Sequence, residues 1–150
     1  MNRARIVFAS MALGLGLPAL CAESLPVSGS PALRYLLAPH VERIRSTSDV
    51  AIEVEPVGTS QAMLDLIDGK SAVAGVTMSL PEALAAAREA AWAEGRMLRV
   101  PATLTFHQVG AIGQGARPVG FVTVGEPSYE LQRVLGYLRS ASGRELFDGR

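Results

Sequence analysis

The chain has 150 residues, 49% of them hydrophobic and 19% charged, with no formal net charge. That length suits one domain, and the composition suits a packed globular unit rather than a disordered one. A neutral chain has no long-range pull on nucleic acid, so nucleic acid is excluded from the expected partners.

Residues 1–22 read as a secretory signal peptide. Arg3 and Arg5 give a basic start, Ile6 to Leu20 is apolar, and Ala22 closes a cleavage site before Glu23. The apolar run is short for a membrane span. Cys21 raises a lipoprotein alternative, but Leu20 is larger than the small residue such a signal carries before its cysteine. Cleavage removes the only cysteine and leaves one domain over 23–150, with no disulfide or thiol chemistry. The expected location is the bacterial periplasm, where disulfides are permitted but not required.

Leu25 to Ser28 reads as a short strand. Ser28-Gly29-Ser30 turns it into a helix, with Ser30 as N-cap and Pro31 in the first helical position. Leu33, Leu36, Leu37, Val41 and Ile44 repeat at helical spacing, and Pro39 should kink or split that helix. Val50 to Glu55 alternates as a strand with one wet face. Pro56-Val57-Gly58-Thr59-Ser60 leads into a second helix striped by Met63, Leu66 and Ile67 and ended by Gly69. Ser71 to Val76 is small and uncharged, as in a strand buried on both faces.

Pro81 to Glu94 is alanine-rich and helical, closed by Gly95, with Trp92 expected as a packing residue. Residues 96–112 read as extended, with Pro101 interrupting. Val119 to Val124 is a further strand. A last helix carries Leu131, Val134, Leu135 and Leu138 inward and is expected to end at Gly143, with Phe147 folding back on the core. The order predicts an α/β three-layer domain with a mainly parallel sheet.

Ligands of open parallel sheets lie beyond the carboxyl ends of the strands. Ser28-Gly29-Ser30, Gly58-Thr59-Ser60 and Thr77-Met78-Ser79 occupy that position here. Helix N-termini with hydroxyl side chains make an uncharged cradle for an oxyanion, so Ser28, Gly29, Ser30, Gly58, Thr59, Ser60 and Thr77 are the candidate ligand-binding residues. The competing interpretation is three N-caps facing water.

Other chemistry finds no support. Gly69-Lys70-Ser71 follows a helix instead of opening one, unlike a nucleotide-binding loop. Gly110, Gly113 and Gly115 are spaced in the reverse order of a dinucleotide fingerprint. His40 and His107 are isolated, His107 being read as structural or as part of a hinge, and no zinc set exists in the mature chain. Glu53/Glu55 and Asp65/Asp68 fall on faces expected to be solvated. No nucleophile–base pair assembles, so no enzyme activity, metal or cofactor is expected.

Val27-Ser28-Gly29-Ser30, Gly58-Thr59-Ser60 with Leu66-Ile67-Asp68-Gly69, and Ala74-Gly75-Val76-Thr77-Met78-Ser79 resemble the phosphate-binding proteins of bacterial ABC uptake systems. Val119 to Val124 and Leu138 to Arg144 resemble that family's closing strand and terminal helix. The resemblance implies one lobe of a periplasmic-binding-protein type 2 fold. It also implies phosphate held at Ser28, Gly29, Ser30, Thr59 and Ser60, and an ABC permease as partner.

Two departures matter. Members are about twice this length, and the second lobe would enter near Ala111 to Arg117, where this chain has only a glycine-rich connection. The family also places an acid near Thr77; threonine can donate or accept, so phosphate need not be preferred over sulfate. The expectation is a periplasmic solute-binding-like protein for phosphate or a similar oxyanion, with a homodimer as one way to complete the cleft. The alternative is an interaction module of the cell envelope that has lost its ligand.

Overall fold

The computed structural model describes residues 23–148; the signal-peptide reading of 1–22 lies outside them. Strand β1 (Glu23–Gly29) leads into helix α1 (Pro31–Leu37), a 3-10 turn (Ala38–His40) and α2 (Val41–Ser48). Then come β2 (Val50–Pro56), α3 (Thr59–Ile67), β3 (Ala74–Val76) and α4 (Leu80–Ala93). Strands β4 (Leu104–Ile112) and β5 (Arg117–Val124) form a hairpin, followed by α5 (Tyr129–Arg139) and α6 (Ala141–Arg144).

The strands form one sheet in the order β2-β1-β3-β5-β4. Strand β1 is parallel to β2 and β3, and β5 is antiparallel to both β3 and β4. Four strands therefore share a direction and β5 opposes them, which makes the sheet mixed. The cause is local: Ala116 N–H donates to Gly113 O at 3.1 Å, closing a tight turn that can only join antiparallel neighbours. Helices cover both faces, so the three-layer α/β architecture is as expected.

Pro39 splits the first helix as its missing N–H requires. Asp49 ends α2 in the left-handed region, at φ 59°. Pro26 sits in a strand with neighbours on both sides, where a missing donor is normally disfavoured. Ser28 N–H donates to Val73 O and Ser30 N–H to Gly75 O, so even-numbered β1 residues aim their backbone groups at β3. Strand β3 pairs only as far back as Ser28, so an N–H at position 26 would meet no ladder partner.

Strand β3 is shorter than the run from Ser71 suggested. Gly69 N–H donates to Leu66 O and Lys70 N–H to Asp65 O, the Schellman ending of α3, and Ser71 N–H also goes to Asp65 O. The backbone before Val73 is thus committed to the helix end. The extended reading of 96–112 is likewise trimmed to Leu104–Ile112. Residues before it turn instead, with Leu104 N–H donating to Pro101 O at 3.3 Å.

One core packs Leu25, Val27, Val50, Ile52 and Phe121 of the sheet against Leu33, Leu37 and Ile44 of the first helices and Leu131, Val134 and Leu138 of α5. Gly75 belongs to this face: a Cβ there would strike Leu33 Cδ2. Burial of a side chain such as Leu33 contributes about 2 kcal/mol. The opposite core is built from Ala83, Ala87 and Ala91 of α4 against Ala62, Met63 and Leu66 of α3 and Val76 and Val122 of the sheet.

That alanine stripe corrects the reading of Trp92, which is 74% exposed. Small residues at every fourth position let α4 approach α3 closely, and the indole lies one residue outside the stripe. The last helix also differs from expectation. It ends at Ser140 rather than Gly143, and Ser140 then caps α6 by accepting from Gly143 N–H at 3.2 Å. Phe147 does fold back, its ring lying over Gly110. Among the described residues no helix is long and apolar enough to cross a membrane.

Candidate anion-binding site

Strands β1, β2 and β3 end at one edge of the sheet, with Gly29 level with both Pro56 and Gly75. From β1 the chain passes to β2 on one side, and from β2 it crosses to β3 on the other. Helices α1 and α3 consequently lie on opposite faces while starting at the same edge. In open α/β sheets such a switch point is where ligands bind.

The first two loops touch there: Gly58 N–H donates to Gly29 O at 3.1 Å. Gly29 fits closely here: a Cβ would lie 3.1 Å from Val54 Cγ1 and 3.2 Å from Gly75 O, so those neighbours would have to give by a few tenths of an ångström. Gly58 has φ 93°, a conformation that favours glycine, and it gives α3 no side-chain cap. Among the described residues, no acceptor engages the N–H of Thr59, Ser60 or Gln61, and no acid occupies the first turn. Three amides and the positive end of the helix dipole therefore stay available.

Ser30 is buried and largely committed. Its Oγ accepts from Leu33 N–H at 3.1 Å and its own N–H donates to Gly75 O at 3.2 Å, so only the hydroxyl proton remains to donate. Thr77, beyond β3, is also buried, and its hydroxyl has no hydrogen-bond partner among the described residues. Ser28 has a different setting. It lines a cleft of about 330 Å³ shared with Glu53, Glu55 and Lys70, and Glu55 is its cross-strand neighbour. Two carboxylates beside Ser28 oppose an anion on that face.

The structure thus joins Gly29 to Gly58 directly. It sets Ser30, Thr59 and Ser60 on the adjoining helix starts and Thr77 past the end of β3, while Ser28 opens onto the acidic cleft. Two contributors escaped the sequence reading. Gly75 docks Ser30 through its carbonyl and seats Leu33 through its missing side chain; a glycine inside an apolar run was the available signal. Gln61 offers a third free amide, which depends on position in the helix and not on residue type. Among the described residues no group of three or more His, Cys, Asp or Glu side chains is placed to hold a metal ion.

His107 has the structural setting expected of it. Its Nε2 lies 2.9 Å from Thr123 Oγ1, and that hydroxyl donates to Gly125 O at 2.8 Å. With its one proton committed, Thr123 accepts, so Nε2 carries the hydrogen. Burial and then the charge of Arg139 push the His107 pKa down, with Glu126 opposing weakly. A lowered value means the folded protein favours the neutral ring. The associated stability is present above the ordinary value of about 6.5 and is lost as pH falls below it. An NMR titration should place the His107 midpoint below about 6.5. His107→Gln, which keeps a donor for Thr123, should flatten the stability loss in that window.

No protein-family model matches the chain, and no curated protein matches it. Among solved structures, an ABC-type phosphate transport receptor from Vibrio cholerae is similar over 62% of this chain, with 15% identity and a TM-score of 0.40. The matched part spans 34% of that receptor, about a third of its length.

Proposed function

We propose that the chain binds a small tetrahedral oxyanion, phosphate or sulfate, beyond the ends of β1, β2 and β3, as a periplasmic solute-binding-like domain. The observation that carries this reading is the start of α3. Its Thr59, Ser60 and Gln61 amides lack acceptors among the described residues, Gly58 holds that turn against Gly29, and no acid occupies the first turn of the helix. Ser30 and Thr77 add hydroxyl donors at the same strand ends. The residue pattern shared with phosphate-binding proteins of ABC uptake systems favours phosphate, delivered to a permease, and residues 1–22 supply the export signal.

Isothermal titration with phosphate and sulfate, followed by amide shift mapping, tests the reading. The expected result is saturable binding with the largest shifts at Thr59, Ser60 and Gln61. Heatless titrations with unmoved amides reject it. In that case the interaction-module alternative gains ground, with pull-down from periplasm as its own assay.

A further inference from the structure

Strand β2 is one edge of the sheet and pairs only with β1. Even-numbered residues of β1 aim their backbone groups at β3, so its odd-numbered residues bond to β2. With Leu25 level with Ile52 in a parallel pair, Ala51, Glu53 and Glu55 return those bonds. Val50, Ile52 and Val54 therefore turn their N–H and C=O groups outward. Among the described residues none of these outward groups has a hydrogen-bond partner. Pro56, next in that row, has no N–H to offer and ends it. The other edge of the sheet is guarded. Strand β4 is bulged between Gln108 and Gly110, Arg139 Nε–H donates to Gln108 O at 3.1 Å, and the Phe147 ring lies over Gly110.

The two faces beside the open edge differ. On the helix side a cleft of about 330 Å³ separates Ile52 and Val54 from the corner formed by Leu37, Ala38 and Val41, and Arg34 also lines it. On the opposite side strand alternation sets Glu53 and Glu55, both exposed and neither in an ion pair among the described residues. Lys70 shares a cleft with them, but it follows α3 on the β3 side of β1, away from the open edge. A second copy of this chain fits that edge poorly. Pairing β2 antiparallel to itself about Ile52 sets Glu55 opposite Asp49, about Glu53 it sets Glu53 against itself, and about Val54 it sets Glu53 opposite Glu55. Like charges directly opposite one another are destabilising in every one of these registers.

We propose that the open edge of β2 takes up an extended segment of a partner protein as a sixth strand, one in which aliphatic and basic residues alternate. Main-chain hydrogen bonds to Val50, Ile52 and Val54 hold the segment. An aliphatic side chain enters the cleft beside Leu37 and Val41, while lysine or arginine on the other face meets Glu53 and Glu55. Arg34, on the helix side, repels a basic residue there and so fixes which face of the segment is which. This edge is distinct from the start of α3, and its role does not depend on an ion bound there.

The test is binding of a seven-residue peptide of alternating lysine and valine, blocked at both ends, read by fluorescence anisotropy and amide shift mapping. The controls are a peptide of the same composition with its lysines grouped, a version N-methylated along its backbone, and a glutamate–valine peptide. The expected result is saturable binding of the alternating peptide, with the largest shifts at Val50, Ile52 and Val54. The grouped and N-methylated peptides should bind at least about tenfold more weakly, and the glutamate peptide not at all. The double variant Glu53→Gln/Glu55→Gln, its folding checked by circular dichroism, should lose about fivefold in affinity for the alternating peptide. Grouped lysines binding within twofold of the alternating peptide would reduce the contact to charge alone and overturn the proposal. Shifts centred away from β2, equal binding of the glutamate peptide, or no binding of the alternating peptide overturn it as well.

Discussion

Gly143→Ala should be the most damaging single methyl that can be added to this protein. A Cβ at position 143 would collide with the carbonyl oxygen of Tyr137 and lie 2.6 Å from Leu138 Cα and 2.8 Å from its carbonyl carbon. All three are backbone atoms, so no rotamer change relieves the clash. The Tyr137 carbonyl is itself held, accepting from Ser140 N–H at 3.0 Å and from the Ser140 hydroxyl. Relief requires α6 to swing away from α5, which exposes Leu146 and Phe147, both buried now. Losing that packing costs about 3 kcal/mol, or a fall in Tm of roughly 10 °C for a domain of this size. Gly136→Ala provides the contrast. Gly136 lies inside α5 with nothing within 4 Å of its added Cβ. Alanine there should stabilise by about 0.5–1 kcal/mol through helix propensity alone. Urea melts of the two variants should move in opposite directions from the wild type.

The Gly143 corner shows where a linear reading stops. Leu131, Val134, Leu135 and Leu138 announced a helix and its buried face through periodicity, because periodicity is a local consequence of backbone geometry. The end of that helix depends on Ser140 turning its hydroxyl to Gly143, a choice fixed by what lies beneath the corner. The same division runs through the chain. Pro39, Gly69 and Gly95 marked breaks correctly because each acts on its own backbone. Trp92 misled because size was taken as burial, while the α3–α4 interface selects for smallness at Ala83, Ala87 and Ala91. Strand direction was legible for the four strands linked by helices. The reversal at β5 hung on a four-residue turn whose tightness composition does not specify. At the strand ends, hydroxyls and glycines pointed to the loops of the proposed site. Which amides remain free is a property of the finished hydrogen-bond network and could not be counted beforehand.

Ser60→Asp should separate stability from binding. Ser60 is the second residue of α3, where the helix dipole and three unengaged amides favour a negative charge. A carboxylate supplied by the chain satisfies those amides internally, so the variant should gain about 0.5 kcal/mol and unfold at slightly higher denaturant. The same carboxylate stands where the oxyanion would sit and repels it through a short, poorly screened distance. Phosphate titration should then show no measurable binding, although the protein is more stable. Ser60→Ala distinguishes charge from hydroxyl loss: it leaves the amides open and should weaken binding only severalfold. Loss of binding coupled to loss of stability would indicate a damaged fold. Retained phosphate binding in Ser60→Asp would place the ion elsewhere than at the start of α3. A gain in stability with complete loss of binding is the outcome expected if the amides that open this helix are the ones that hold the ligand.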